Sequence, residues 1–147
     1  MAIKYVKGDL WKTKKKWIVV PVNIPPEDRE SLYAGFTERF PGMIDYFKQI
    51  CENTEFFIGR IGLWTDEKSD MYIIFFPVRE PWGGRESPVN IRMGLNRLKS
   101  YCQSWKIEEV AFPKIGADIP SIDWDNDIKP LFGEYLDDTG IDVEVYV

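Results

Sequence analysis

The chain has 147 residues, 44% hydrophobic and 15% aromatic, which suits one folded domain with a substantial core and excludes a disordered tail. Its net charge of −5 is uneven: residues 1–48 carry nine basic and six acidic side chains, residues 115–147 one basic and nine acidic. That balance argues against a generic nucleic-acid binder, and the lack of any histidine removes the usual general base and metal ligand and every Ser-His or Cys-His pair.

No catalytic metal and no cofactor are therefore expected. Lys4, Lys7 and Asp9 interrupt any signal sequence, and no apolar run approaches about 18 residues, so a cytoplasmic protein without a membrane partner is expected. Ile3–Val6 reads as a short strand, and Lys12, Lys14, Lys15 and Lys16 as a solvated turn before a buried one. The continuous apolar run from Trp17 to Val22 suits a strand covered on both faces. Pro25-Pro26 forces an extended loop. Ser31 to Phe40 reads as a helix broken by Pro41-Gly42, and Met43 to Cys51 as another.

Ile58–Trp64 and Met71–Phe76 read as strands joined by a polar turn, and Pro77 to Pro88 as a long irregular loop. Ser87-Pro88 begins a helix, serine as N-cap and proline in the first turn. That helix places Ile91, Leu95, Leu98 and Cys102 on one face. Cys51 and Cys102 are too few to staple or ligate anything, so free thiols are expected. Val110–Pro113 is a strand. Trp124 to Leu136 is helical, with Pro130 requiring either a start near Asn126–Asp127, the preferred reading, or a kink. Ile141–Val147 alternates apolar and polar residues as a strand with one exposed face. Residues 1–147 thus form a single α/β domain, layered about a central mixed sheet.

Two segments carry chemistry. Phe112-Pro113-Lys114-Ile115-Gly116-Ala117-Asp118 takes an apolar strand into a glycine turn, and the acid-rich stretch to Asp123-Trp124 reads as a helix start. Backbone N–H groups in such a turn can hold phosphate oxygens. Tyr5-Val6-Lys7-Gly8-Asp9-Leu10 is a second short strand running into a Gly-Asp turn.

Together with Phe36…Phe40-Pro41-Gly42, these segments resemble a macro domain, the ADP-ribose-binding module, over essentially the whole chain. The likeness is greatest to the branch of terminal ADP-ribose glycohydrolases and DarG-type antitoxins. The resemblance implies a three-layer α/β/α sandwich. It implies that Asp9 reads the exocyclic amine of adenine and that the Leu10 N–H meets a ring nitrogen, donor matched to acceptor; an Asx-turn role for Asp9 is the alternative. The loop Lys114–Ser121 would bind the diphosphate, with Lys114, Ile115, Gly116, Ala117, Asp118 and Ile119 as ligand contacts and Asn23 a further one. Tyr146 would cover the adenine ring or be an ordinary surface tyrosine, and Trp82, in its Pro81-Trp82-Gly83-Gly84 loop, would touch ligand or partner.

Two departures bear on turnover. The family's distal-ribose loop is glycine-rich, whereas no glycine occurs here between Asn23 and Gly35. The branch's lysine nucleophile is replaced in register by Arg79, which stays protonated at accessible pH, and its partner aspartate falls near Pro120. The leading expectation is binding of ADP-ribose, or of an ADP-ribosylated macromolecule, with weak or absent turnover. One alternative is an ADP-ribosyl hydrolase using Asp118 or Glu30 to activate water. Another is an interaction protein whose tryptophans face a partner. The sequence carries no oligomer signal.

Overall fold

The computed structural model describes residues 3–23, 35–36, 38–52, 59–79, 88–117 and 122–147, leaving aside the side chains of Asn23 and Arg79. Six strands form one sheet: β1 (Ile3–Val6), β2 (Trp17–Asn23), β3 (Gly62–Asp66), β4 (Met71–Arg79), β5 (Glu109–Phe112) and β6 (Asp142–Tyr146). Their order is β1-β6-β5-β2-β4-β3. Every neighbouring pair is parallel except β3 with β4. The helices are α1 (Met43–Glu52), α2 (Pro88–Tyr101) and α3 (Lys129–Leu136), with helical backbone also at 35–36 and 38–39. The expected mixed sheet in a three-layer sandwich is the fold observed.

Alternation along the central strands builds two cores. Trp17 and Val19 of β2, Ile74, Phe76 and Val78 of β4, and Val110 and Phe112 of β5 face one cluster, closed by α2, α3 and Trp124. Ile18, Val20, Val22, Ile73, Phe75 and Ala111 face the other, closed by Leu10, Phe36, Phe40, Met43 and Phe47. A strand buried on both faces must be apolar at every position, which is why β2 reads as an unbroken run. Helix α2 lies close on the sheet: a Cβ at Gly94 would sit 2.3 Å from the Phe76 ring.

Several expectations are corrected. Strand β4 does not stop at Phe76 but continues through Pro77 to Arg79, and the rest of the expected loop, residues 80–87, lies outside the described residues. Proline is tolerated because β3 pairs with β4 only as far as Phe75, leaving the N–H side at residue 77 without a partner strand. Strand β3 begins at Gly62 rather than Ile58, which lies outside the described residues.

Helix α3 is preceded by a π-helical turn, Trp124–Ile128, capped by Asp123. The α-helix proper begins at Lys129 with Pro130 in its first turn. The π turn runs straight into it, the Lys129 N–H donating to the Trp124 carbonyl, so Pro130 removes one backbone donor within a continuous helical run. The early helical turn and the late helix are therefore both present.

Trp11 and Trp64 are packed. Trp11 meets Phe36 edge-on at 4.5 Å and carries Arg39 over its ring at 4.1 Å, while Trp64 lies against Phe40 at 6.2 Å. Lys15 and Lys16 are tied to acids, Lys15 to Asp142 at 3.4 Å and Lys16 to Asp70 at 2.8 Å. Both cysteines are free thiols. Among the described residues, no helix is long and apolar enough to cross a membrane, and no group of three or more His, Cys, Asp or Glu is placed to hold a metal.

Candidate functional site

Five parallel strands end on one edge of the sheet, and both chemistry-bearing segments leave from that edge. Ligands in open α/β sheets bind beyond the carboxyl ends of the strands. Strand β1 ends at Val6 and runs into Gly8-Asp9-Leu10. Strand β5 ends at Phe112 and runs into Lys114–Ala117. Strand β6 brings Tyr146 opposite Val6, and Asn23 of β2 pairs with Arg79 of β4.

The Asp9 turn is a short 3-10 helix, Leu10–Lys12, with Asp9 as its N-cap. One Asp9 carboxylate oxygen accepts from the Trp11 N–H at 3.0 Å, leaving Oδ2 without a protein partner among the described residues. Asp9 is exposed and Leu10 buried. The Asx-type cap and the proposed amine acceptor are thus compatible, because each uses a different oxygen. Burial of Leu10 in the second cluster anchors the turn to the sheet face on which Tyr146 packs.

The second turn is built around Gly116. The Ala117 N–H donates to the Lys114 carbonyl at 3.2 Å, and Gly116 sits third in this four-residue turn at φ +84°. That is the φ of a type II turn, which glycine supplies without steric cost. A side chain would also be crowded, since a Cβ would lie 3.2 Å from Ile91 Cδ1, which would have to shift slightly. Ile115 is buried, its carbonyl accepting from the Trp124 indole N–H at 2.9 Å. Lys114 is exposed, its Nζ 4.9 Å from the Trp124 ring centroid.

Tyr5 braces the same region from β1. Its hydroxyl donates to the Lys129 carbonyl at 3.1 Å, and its ring meets Trp124 edge-on at 6.4 Å. Burial pushes the Tyr5 hydroxyl above its ordinary pKa, keeping it a neutral donor.

Tyr146 is half-buried rather than on a free face, as the alternation of β6 suggests, because its side of the strand is covered by the second core cluster. Its hydroxyl donates to Glu144 Oε1 at 3.1 Å, and the Thr13 hydroxyl donates to the same oxygen at 3.0 Å. Desolvation by burial is the main cause of a raised Tyr146 pKa. Thr13, Glu144 and Lys129 were not singled out by the sequence, and Tyr5 only as the start of the strand before the Gly-Asp turn; the shared face of Glu144 and Tyr146, two apart on one strand, is the signal for Glu144.

The structure therefore brings Asp9, Leu10, Lys114, Ile115, Gly116, Ala117 and Tyr146 to one edge, with the Asn23 backbone. Glu30, Trp82, Asp118 and Ile119 lie outside the described residues.

No protein-family model matches the chain. In sequence it is similar to the DNA ADP-ribosyl glycohydrolase of Mycobacterium tuberculosis (strain ATCC 25618 / H37Rv), at 25% identity over 146 residues, 98% of this chain and 42% of that protein. The chain thus spans well under half the length of the curated relatives first matched. In structure it is similar to the macrodomain of Thermus aquaticus DarG, with TM-score 0.89 and 24% identity, covering 99% of this chain and 98% of that one. It is also similar to Thermosipho africanus DarTG in complex with ADP-ribose, with TM-score 0.88 and 22% identity, covering 98% of this chain and 41% of that one. The chain is a macrodomain by fold, and its likeness runs to the DarG-type branch.

Proposed function

We propose that the chain binds ADP-ribose, free or attached to a macromolecule, at the carboxyl edge of its parallel strands, with weak or absent turnover. The observation that carries this reading is the convergence of two turns on one edge. One is the Asp9 turn, with a carboxylate oxygen available to an amine donor. The other is the Gly116 turn, where backbone rather than a side chain would face a ligand. An acidic chain can hold a diphosphate only through oriented N–H groups and local cations; Lys114 is such a cation beside the Gly116 turn, while the Ile115 and Ala117 N–H groups are already donated to the Pro113 and Lys114 carbonyls within the turn. The reading also draws on the likeness to a DarTG structure solved with ADP-ribose. Free Cys51 and Cys102 suit a reducing, cytoplasmic compartment. Titration calorimetry against ADP-ribose tests the proposal, and no heat at high micromolar ligand with the fold intact overturns it.

A second reading is removal of ADP-ribose from modified nucleic acid or protein. It is favoured by the sequence likeness to a DNA ADP-ribosyl glycohydrolase across 98% of this chain. Arg79 ends β4; on the sequence register in which it replaces the resembled branch's lysine, a carboxylate, Asp118 or Glu30, would have to activate water. Release of ADP-ribose from ADP-ribosylated DNA, lost in Asp118→Ala or Glu30→Ala, supports this reading. Release that survives both substitutions excludes that mechanism, and no release leaves the binding reading alone.

A further inference from the structure

The Asp9 turn and the last strand are far apart in sequence, yet one carboxylate oxygen joins them. Glu144 Oε1 accepts from the Thr13 hydroxyl at 3.0 Å and from the Tyr146 hydroxyl at 3.1 Å. Thr13 is the C-cap of the 3-10 turn whose N-cap is Asp9, and its N–H donates to the Leu10 carbonyl at 3.1 Å. Its hydroxyl oxygen accepts in turn from the Lys15 N–H at 3.1 Å. The turn is thus held at one end by the Asp9 carboxylate and at the other by a hydroxyl whose own proton goes to Glu144. Tyr146 is held by the same oxygen, and both it and Leu10 pack in the same core layer.

We propose that Glu144 is a positioning residue that fixes the Asp9–Leu10 turn and the Tyr146 ring as one adenine-recognising unit. The proposal rests on the reading of Asp9 and Leu10 as the adenine end of the site. Three residues of turn have few intrinsic hydrogen bonds to hold them, so their orientation depends on the tie to the sheet. A carboxylate accepting two hydroxyl protons makes that tie with both donors charge-assisted. Lys15 faces the group from the turn, and it is also bound to Asp142, on the same strand as Glu144. Glu144 itself has no role in contacting ligand here. It acts through Thr13 and Tyr146.

The test compares wild type, Glu144→Ala, Glu144→Gln and Tyr146→Phe. ADP and inosine diphosphate, which lacks the exocyclic amine, are titrated against each, and amide exchange is followed at residues 10–13. With Glu144→Ala, preference for ADP over inosine diphosphate should fall about tenfold or more, toward parity, and exchange at residues 10–13 should speed up. Glu144→Gln keeps an acceptor oxygen and should restore most of both. Tyr146→Phe should lose part of the base preference while leaving exchange at residues 10–13 near wild type. If Glu144→Ala weakens both nucleotides equally, or if its base preference and exchange match wild type, the proposal is overturned. If no variant nor wild type binds nucleotide, the ADP-ribose reading fails; exchange at residues 10–13 then decides alone whether Glu144 holds the turn.

Discussion

The indole N–H of Trp124 donates to the carbonyl of Ile115 at 2.9 Å, tying the π-helical turn to the glycine turn nine residues earlier. Both partners are buried. The bond makes the turn's position a consequence of where helix α3 docks, so the N–H groups of the turn are aimed by packing rather than by local sequence. Trp124→Phe leaves that carbonyl buried without its donor, a loss of about 1–3 kcal/mol. Urea denaturation should show the destabilisation, and ADP-ribose affinity should fall alongside it. Unchanged stability would mean that water or another donor replaces the indole.

Gly116→Ala should be worse than a small surface change. The residue has φ +84°, and its Cβ would approach Ile91 Cδ1 to 3.2 Å. Backbone strain alone costs roughly 1–2 kcal/mol for an L-residue in this region. Calorimetry should find ADP-ribose binding weakened by at least as much as the fold, because the turn itself moves.

Asp9→Ala removes both the cap on the 3-10 turn and the proposed acceptor for adenine. A charge-assisted hydrogen bond contributes on the order of 1.5–3 kcal/mol, so affinity for ADP-ribose should fall about ten- to a hundredfold. ADP should bind within about tenfold of ADP-ribose, since residues 24–34 contain no glycine where the resembled family's ribose segment is glycine-rich. ADP-ribose binding far tighter than ADP would show that residues 24–34 build a working ribose pocket.

Lys106 offers a stabilising change away from the site. It has φ +56°, its N–H donates to the Gln103 carbonyl at 3.2 Å, and the Ile107 N–H donates to the Cys102 carbonyl at 2.9 Å. This is the Schellman arrangement, in which glycine is the preferred left-handed residue. Lys106→Gly should raise stability by about 0.5–1 kcal/mol, with nucleotide binding unaffected. A lower melting temperature would contradict it.

Burial pushes the Cys51 thiol up to about 11 from an ordinary 9.0. At pH 8 its thiolate fraction is then about a hundredfold lower than that of an unperturbed thiol, and alkylation by iodoacetamide should slow in proportion. Because the folded value lies above the unfolded one, the contribution to stability is complete below pH 9.0 and is lost as pH rises toward about 11. Cys51→Ser should reduce the alkaline loss of stability across that window.

Much of the architecture was legible locally. Trp17–Val22 reads as a strand with both faces covered and is buried as that requires, and Ile91, Leu95 and Leu98 share the buried face of α2, with Cys102 buried just past its end at Tyr101. The strand through Pro77 was misread because its tolerance depends on where β3 stops, a fact about a neighbouring strand. The sequence offers a helix start near Asn126–Asp127 or a kink at Pro130, since periodicity cannot tell a π turn from an α-helix with a late beginning.

The sequence by itself determined the fold class, the two turns and the residue types in them, because strand periodicity and glycine chemistry act over a few residues. Only the tertiary structure decided which residues cooperate. Glu144 meets Thr13 across 131 positions, and Tyr5 meets Lys129 across 124. Those contacts follow from β1 and β6 lying side by side, a pairing of the chain's two ends that local propensity does not encode. Gly94 likewise looks like a weak point in a helix until Phe76 is seen 2.3 Å from its missing Cβ. Hydrogen bonds and close approaches between distant segments depend on the strand order, which is set by burying the two apolar faces of one sheet at once.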